Sequence, residues 1–335
     1  MKRHPLPPPR YWYELVSPPW YSRVLAFLYG ALVALRRGLY RAGWLRCHHL
    51  PVPVIVIGNL TAGGSGKTPL TIALVEYLRE AGFHPGVVSR GYGGAARGPL
   101  LLADQHPPSL VGDEPYLIHR RTGVPVAIGA GRVEAARLLL EPEVGVDLIL
   151  ADDGLQHYAL ARDLELCVID GTRRFGNAQL LPAGPLREPL SRLPSVDFRI
   201  CNGGRCPPDE VPMSVRAEVP YPLLAPVRAG QQLEPGLAVH AVAGIGNPVR
   251  FFASLRTLGW QPVEHPFPDH HVFTRDDFRF DDGQKPLLMT EKDAVKCAAW
   301  AQSNWWVLPI RAVLPQSFLQ TLLERLQQIQ AQPLP

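Results

Sequence analysis

The arrangement of apolar and polar residues along the chain predicts strands that alternate with helices. Short β-branched apolar runs between turn-forming residues are typical of buried strands, and longer runs with a period near 3.6 are typical of amphipathic helices. Strands are predicted at 54–57, 85–89, 124–128, 146–151, 164–169, 237–243 and 286–289. Helices are predicted at 70–81, 111–121, 132–140, 249–258 and 317–331. This alternation predicts an α/β fold with a doubly wound parallel sheet, which binds ligands at the carboxyl ends of its strands.

Prolines divide the chain into two α/β parts. The 335 residues are enough for about two domains, and seven of the 36 prolines lie between 202 and 236. Residues 215–219 there are expected to form an extended connector strand. The predicted divisions are an N-terminal basic and apolar helix region, a first domain, a proline-rich linker, a smaller second α/β domain and a C-terminal helix, at 1–50, 51–205, 206–236, 237–315 and 316–335.

The N-terminal region is basic and apolar at once. Residues 1–50 contain eight Lys or Arg, Lys2 and Arg3 among them, and one acidic residue. This charge favours binding to an anionic partner, either a membrane surface or nucleic acid. The apolar run 24–35 has twelve residues, fewer than the ~20 that cross a bilayer. Arginines near this run fall on one helical face, which predicts a helix lying in the membrane interface. A helix in the core of a soluble body is the alternative, and no signal-peptide cleavage site follows the run.

The five cysteines show no CxxC pairing. Cys201 and Cys206 flank a predicted turn, but a metal site there would need two more ligands that the sequence does not offer. We expect reduced thiols that bind no metal.

A glycine-rich loop between the first strand and the first helix predicts a nucleotide site. Strand, loop and helix in this order form a cradle in which backbone N–H groups and a helix N-terminus face phosphate. Lys67 adds a mobile positive charge, and the Thr68 hydroxyl is suited to Mg²⁺. The predicted phosphate-binding residues are Thr61, Ala62, Gly63, Gly64, Ser65, Gly66, Lys67 and Thr68. The first position of the usual motif has Thr61 instead of glycine, and an ordinary βα turn is the alternative.

Asp152 and Asp153 follow a buried apolar strand, which is the position of a Walker-B carboxylate. With Thr68 they form the predicted Mg²⁺ site, and capping of the next turn is the alternative. A P-loop with such a pair is found in GTPase switches, partition-type ATPases and small-molecule kinases.

A further ordered set of motifs resembles the tetraacyldisaccharide 4'-kinases, the lipid A 4'-kinases of Gram-negative bacteria. The resemblance runs from about residue 10 to about residue 310, and Leu155 is a mild variation where an aromatic residue is expected. Its motifs lie at 58–69, 89–93, 112–115, 152–157, 182–189, 267–271 and 290–293.

The resemblance implies a P-loop kinase fold with two α/β domains joined by a two-stranded linker. It implies transfer of the γ-phosphoryl group of ATP, with Mg²⁺, to the 4'-hydroxyl of a lipid A disaccharide precursor. It also implies an enzyme at the cytoplasmic face of the inner membrane. We expect a membrane surface as a partner, with no nucleic acid and no obligate protein partner.

The same resemblance implies Asp113 as catalytic base and His270 as its partner, beside Lys67. Read from the residues alone, Asp113 is equally suited to cap a helix, and His270 to a plain loop. Arginines at strand ends, such as Arg90, Arg132 and Arg187, suit an anionic sugar phosphate. The residues expected to line the substrate or nucleotide sites are Asn59, Tyr92, Glu114, Arg132, Gln156, His157, Arg187 and Glu188.

Two other functions stay open from the residues. One is a membrane-tethered P-loop ATPase that switches a protein partner, and the other is an ATPase that binds nucleic acid through the basic N-terminal region. The order Thr-Glu-Lys-Asp at 290–293 is not the guanine-reading T-K-x-D, which favours ATP over GTP.

Overall fold

The structure is a computed structural model that describes residues 8–224 and 233–331. Its strands are β1 (Val54–Gly58), β2 (Pro85–Ser89), β3 (Leu100–Leu101), β4 (Val126–Ile128), β5 (Leu148–Asp152), β6 (Leu164–Asp170), β7 (Phe198–Asn202), β8 (Val211–Ala217), β9 (Tyr221–Pro222), β10 (Ala238–Ala243), β11 (Gln261–Pro266), β12 (Leu287–Thr290), β13 (Trp305–Leu308) and β14 (Ile310–Val313). Its α-helices are α1 (Trp20–Arg41), α2 (Lys67–Glu80), α3 (Pro108–Val111), α4 (Asp113–Thr122), α5 (Arg132–Leu139), α6 (Pro248–Thr257), α7 (Glu291–Cys297) and α8 (Gln316–Gln330).

The larger sheet is the predicted doubly wound parallel sheet. Its strand order is β14-β8-β7-β6-β1-β5-β2-β4-β3, and its pairs are parallel except at the two edges, where β14 and β3 run antiparallel to their neighbours. Strand β1 lies in the middle, and all five of its residues are buried. A strand that is covered on both faces needs apolar residues at every position, which explains its unbroken apolar run. The predicted fold class is confirmed.

Two apolar layers cover this sheet. On one face, α2, α4 and α8 bury Leu74, Ile118 and Leu322. On the other face, α5 buries Val133 and Leu139. Each helix presents its apolar stripe to the sheet, and this packing fixes the helix N-termini near the strand ends.

A smaller sheet of strand order β11-β10-β12-β13-β9 carries α6 and α7. The chain passes between the two sheets twice, from β8 to β9 and from β13 to β14. The two passages lie side by side, since the backbone N–H of Glu218 donates to the carbonyl of Pro309 at 2.9 Å. Strands β8 and β14 pair within the larger sheet, and α8 packs on it. The predicted domain boundaries remain predictions. Residues 225–232 of the predicted linker lie outside the described residues.

Helix α1 rests on the body along a narrow stripe. Ser22 and Ala26 are buried, and the Tyr29 hydroxyl donates to the backbone carbonyl of Arg187 at 2.9 Å. The opposite face is apolar and open, with Trp20 and Phe27 each 77% exposed. The alternative of a core helix is therefore wrong.

Among the described residues, none of the helices combines the length and apolar character that crossing a membrane requires. Lys2 and Arg3 of the predicted basic region lie outside the described residues.

The cysteine prediction needs a correction. Cys201 and Cys206 form a disulfide, because the intervening turn brings their Cα atoms to 5.7 Å, within the range that a disulfide spans. Sequence spacing alone did not indicate this turn geometry. Cys47, Cys167 and Cys297 are free thiols, as expected.

Candidate active site

The glycine-rich loop connects the central strand to α2. Gly66 precedes the helix with φ of 97°, and a Cβ there would lie 2.3 Å from Nδ2 of Asn202. Only glycine suits both the backbone and the space. The loop is held from behind, since the Ala62 N–H donates to the Pro185 carbonyl at 2.8 Å. The predicted phosphate-binding residues 61–68 thus form one loop that ends at a helix N-terminus.

The aspartate pair lies beside this loop. Strands β1 and β5 are neighbours with Ile57 opposite Asp152, so both strands end at the same edge. The Thr71 hydroxyl donates to Asp152 at 3.1 Å. Asp153 lies 3.4 Å from Lys67 Nζ and 3.1 Å from Arg187 Nη1. The P-loop lysine is therefore held by a carboxylate of the predicted metal site.

The two carboxylates differ in their electrostatics. Burial, reinforced by the charge of Glu114, raises the pKa of Asp152 to about 7. Burial opposes ionisation of Asp153 too, but Lys67 and Arg187 outweigh it and lower its pKa to about 2. Asp153 is thus fully charged at neutral pH, whereas Asp152 becomes charged most readily beside a cation.

The oxygen atoms of Thr68, Asp152 and Asp153 suit Mg²⁺, which prefers hard oxygen ligands. Within the described ranges, no three His, Cys, Asp or Glu side chains converge into a protein-only metal site. Mg²⁺ is usually bound through one or two carboxylates together with substrate phosphates.

Asp113 and His270 form a close pair. His270 Nδ1 lies 3.1 Å from both carboxylate oxygens of Asp113. His270 has a left-handed backbone with φ of 58°, which costs on the order of 1 kcal/mol for a non-glycine residue. Asp113 is the first residue of α4, and Gly112 occupies the N-cap position. Gly112 and not Asp113 is therefore the N-cap residue of α4, and the His270 side chain in its turn faces a carboxylate.

Cations surround this pair. Burial opposes ionisation of Asp113, but the hydrogen bond from His270 and the charge of Lys292 outweigh it and lower the pKa to about 2. Lys292 Nζ lies 2.8 Å from Glu114, 3.2 Å from Asp269 and 3.3 Å from His270 Nε2. A lysine that donates to Nε2 leaves the histidine proton on Nδ1, where it points at Asp113.

Sequence reasoning assigned no catalytic role to Lys292. Its neighbour one turn on, Lys296, lies 3.8 Å from Asp113 and was missed too. The available signal was the position of the Thr-Glu-Lys-Asp motif directly after β12, at the carboxyl edge of the smaller sheet.

Loops of the smaller sheet contact the P-loop. A Cβ on Gly246 would lie 3.3 Å from the backbone nitrogen of Gly64 and 3.4 Å from the carboxylate of Asp269. Arg250 Nη2 lies 3.4 Å from Asn202 Oδ1. Asp269 precedes His270, so these contacts place the Asp113–His270 pair close to the phosphate cradle. The site is built from both α/β parts.

A family model described as tetraacyldisaccharide-1-P 4'-kinase matches residues 19–327 of this chain. The chain belongs to this family. The tetraacyldisaccharide 4'-kinase of Xanthomonas euvesicatoria is 48% identical, with 96% of each chain covered. That of Aeromonas salmonicida is 50% identical, with 94% of this chain and 95% of the relative covered. The crystal structure of LpxK from Aquifex aeolicus in complex with ATP matches with a TM-score of 0.74 at 27% identity, covering 90% of this chain and 97% of that one.

The predicted family, the predicted enzyme class and the predicted kinase activity are confirmed by these relatives. The ATPase switch and the nucleic-acid ATPase gain no support from them.

Several predicted substrate-site residues of this kinase are hydrogen-bonded to one another. Asn59 Oδ1 accepts from Lys67 Nζ at 3.3 Å. Gln156 Nε2 donates to the Asn59 carbonyl at 3.1 Å and to Glu188 at 2.9 Å. Glu188 is 1% exposed and also accepts from the Tyr158 hydroxyl. Both carboxylate oxygens of Glu188 accept hydrogen bonds from other side chains of the protein, so the geometry favours a role for Glu188 in positioning Gln156.

Arg132 and His157 contact each other, and Tyr92 lies at a cavity. The Arg132 backbone N–H donates to His157 Nε2 at 3.2 Å, and burial followed by the Arg132 charge lowers the His157 pKa to about 4. Arg132 is 3% exposed, and within the described part of the chain its Nε has no hydrogen-bond partner. Arg90 and Tyr92 line a cavity of about 260 Å³ at the ends of β2 and β4. The Tyr92 ring lies 5.0 Å from the His270 ring.

Proposed function

We propose that this kinase transfers the γ-phosphoryl group of ATP to the 4'-hydroxyl of a tetraacylated glucosamine disaccharide 1-phosphate. The observation that carries the proposal is the contact of Asp113 with His270 beside the P-loop. A phosphoryl transfer to a hydroxyl needs a phosphate cradle and a carboxylate that receives the hydroxyl proton. A switch ATPase needs only the phosphate cradle.

Residues 61–68 bind the phosphates in this proposal. Their backbone N–H groups and the N-terminus of α2 face the anion. Lys67 leaves Asp153 for the transferred phosphate, and Asp153 is compensated by Arg187 at 3.1 Å. Thr68, Asp152 and Asp153 would hold Mg²⁺, which supplies charge neutralisation at the phosphates when bound.

Asp113 receives the proton of the sugar hydroxyl. A carboxylate with a pKa near 2 is fully ionised at neutral pH but is a weak base. A weak base is sufficient because the phosphoryl transition state is loose and needs mainly positioning. His270 Nδ1–H fixes the orientation of the carboxylate, and Lys292 holds the histidine from its other nitrogen.

Arg90, Arg132, Tyr92 and His157 are suited to hold the anionic sugar. The buried Nε of Arg132, which has no hydrogen-bond partner among the described residues, is free to donate to a phosphate oxygen. The acyl chains of the substrate require access to a lipid phase, and the open apolar face of α1 provides a surface for it. We therefore place the enzyme on the inner membrane, at the cytoplasmic face where ATP is available.

The test is a radiolabel transfer assay. Purified protein, Mg²⁺ and γ-labelled ATP are mixed with tetraacyldisaccharide 1-phosphate in detergent micelles. We expect label on the lipid, its loss in Lys67→Ala, and normal transfer in Lys285→Ala, which changes an exposed lysine. Hydrolysis of ATP without labelled lipid would overturn the proposal in favour of the ATPase switch.

A further inference from the structure

The turn at residues 201–206 lies behind the P-loop, and we call it the cystine turn. It starts near the end of β7 and is closed by the Cys201–Cys206 disulfide. Gly203 and Gly204 within it have φ of 67° and 63°. Glycine has more backbone freedom than any other residue, so a cross-link around this turn restricts its conformation strongly.

Asn202 connects the cystine turn to the P-loop. Its Nδ2 donates to the Ser65 carbonyl at 2.9 Å, and the residue is 4% exposed. The same Nδ2 lies beside Gly66, the residue that precedes α2. Asn202 is adjacent to Cys201 in the chain, so the state of the disulfide bears directly on this contact.

The two sulfur atoms have different surroundings. Cys201 is fully buried, whereas Cys206 is partly exposed. Arg174 Nη1 lies 3.8 Å from the Cys201 sulfur. Both terminal nitrogens of Arg174 are fixed by Glu210, at 2.7 and 2.6 Å. A guanidinium beside a sulfur stabilises the thiolate.

We propose that Cys201 and Cys206 are a reversible redox site that controls how firmly Asn202 holds the P-loop. The reacting partners are a small dithiol as reductant and a peroxide as oxidant. The proposal rests on the proposed function in one respect, because a kinase that consumes ATP at the cytoplasmic face works in a reducing compartment. Disulfides that form in such compartments are mostly transient or redox-sensing.

The geometry fits thiol–disulfide exchange. A thiolate of the reductant attacks the accessible Cys206 sulfur and forms a mixed disulfide, and Cys201 leaves as a thiolate beside Arg174. The second thiol of the reductant then displaces Cys206, so that two electrons and two protons reach the protein. In the reverse direction, the two thiols give two electrons and two protons to hydrogen peroxide, which yields the disulfide and two water molecules.

Reduction frees the cystine turn and weakens the Asn202 contact. The hydrogen bond from Asn202 Nδ2 to the Ser65 carbonyl is then broken for more of the time. The P-loop is therefore less well ordered and binds phosphate less well. We expect ATP to bind the reduced protein about 2–10-fold more weakly than the oxidised protein, which is the worth of about one neutral hydrogen bond.

The test measures nucleotide binding without lipid. A fluorescent ATP analogue is titrated into the full-length protein after dithiothreitol or hydrogen peroxide, and mass spectrometry of peptides reports the Cys201–Cys206 link. We expect weaker binding after reduction in the wild type and in Cys47→Ser, which removes an exposed free thiol. Cys206→Ser should bind like the reduced protein under both conditions, and Asn202→Ala should bind weakly in either state.

Equal affinity in the two redox states, or failure of the link to open and close, overturns the proposal. Neither outcome bears on phosphoryl transfer, which the lipid assay measures separately. A redox response of nucleotide binding together with no labelled lipid would overturn the proposed function and leave the redox site standing.

Discussion

His270 Nδ1 lies 3.1 Å from both carboxylate oxygens of Asp113, although 157 residues separate the two in the chain. Asp113 starts α4 on the larger sheet, and His270 follows β11 of the smaller sheet. The pair exists only when the two sheets lie against each other, so the proposed catalytic geometry depends on the position of the smaller α/β part.

The first prediction concerns catalysis by this pair. We expect Asp113→Asn to lower kcat by about 10²–10⁴-fold with little change in KM for ATP, because it removes a proton acceptor and no phosphate contact. His270→Gln should lower kcat less, and the double variant should be no worse than Asp113→Asn. Steady-state kinetics with the lipid substrate measures these effects.

A matched pair provides the control. Asp104 and His119 also lie 3.1 Å apart, but the Asp104 side chain is 85% exposed, whereas that of Asp113 is 7% exposed. Asp104→Asn should keep kcat. Losses in the two single variants that multiply in the double variant would contradict the idea that Asp113 and His270 act as one unit.

The second prediction concerns the pH dependence of stability. The pKa of Asp113 is lowered to about 2 in the folded protein, against an ordinary value near 3.9 in the unfolded chain. Ionised Asp113 therefore stabilises the fold above pH 4, by about 2 kcal/mol, and this contribution is lost as pH falls towards 2. The difference in unfolding free energy between wild type and Asp113→Asn should shrink from pH 6 to pH 3, as urea unfolding measures. A difference that stays constant with pH would contradict it.

The third prediction concerns Lys292. Burial lowers the pKa of a lysine, but Glu114, Asp113 and Asp269 outweigh this and raise the pKa of Lys292. It remains charged, and Lys292→Met would leave three carboxylates without their shared cation. We expect kcat to fall at least tenfold and thermal stability to drop, because buried Asp113 and partly buried Glu114 and Asp269 each lose a charge partner.

Lys285→Met, at an exposed position, is the control for this substitution. Activity and melting temperature measured on the same samples separate the two effects. A loss of stability with kcat intact would assign Lys292 to holding the sheets together and not to the reaction.

The larger sheet and its loops were predictable from the sequence because they follow local rules. Val54 to Ile57 is unbroken apolar because both faces of β1 are covered, and residues 61–68 follow it directly. A phosphate-binding loop consists of consecutive residues, so a single short stretch of sequence contains all of it. The same holds for Asp152 and Asp153 at the end of β5.

The rest of the site depends on contacts between distant segments, which periodicity does not encode. The role of Lys292 follows from its distances to Glu114 and Asp269, and both depend on how the sheets meet. Glu188 was predicted to line the substrate site, but its burial under Tyr158 is a property of packing. The Cys201–Cys206 link was missed because it depends on the exact path of a glycine turn.

The last prediction concerns α1 and the membrane. One side of this helix contacts the body through Ser22, Ala26 and Tyr29, so only its other side is free to meet lipid. Phe27 on that side is 77% exposed. Burial of one such side chain contributes about 1.5–3 kcal/mol, and Phe27→Glu should weaken binding to anionic vesicles about tenfold or more. Flotation with vesicles of phosphatidylglycerol and phosphatidylethanolamine measures it.

Leu258→Glu makes the same kind of change at an exposed apolar residue of the smaller α/β part and should leave vesicle binding intact. Turnover in detergent micelles, where the lipid reaches the enzyme without a bilayer, should fall less in Phe27→Glu than turnover on vesicles. If both variants bind vesicles like the wild type, α1 is not the membrane contact, and its apolar face must serve the acyl chains of the substrate alone.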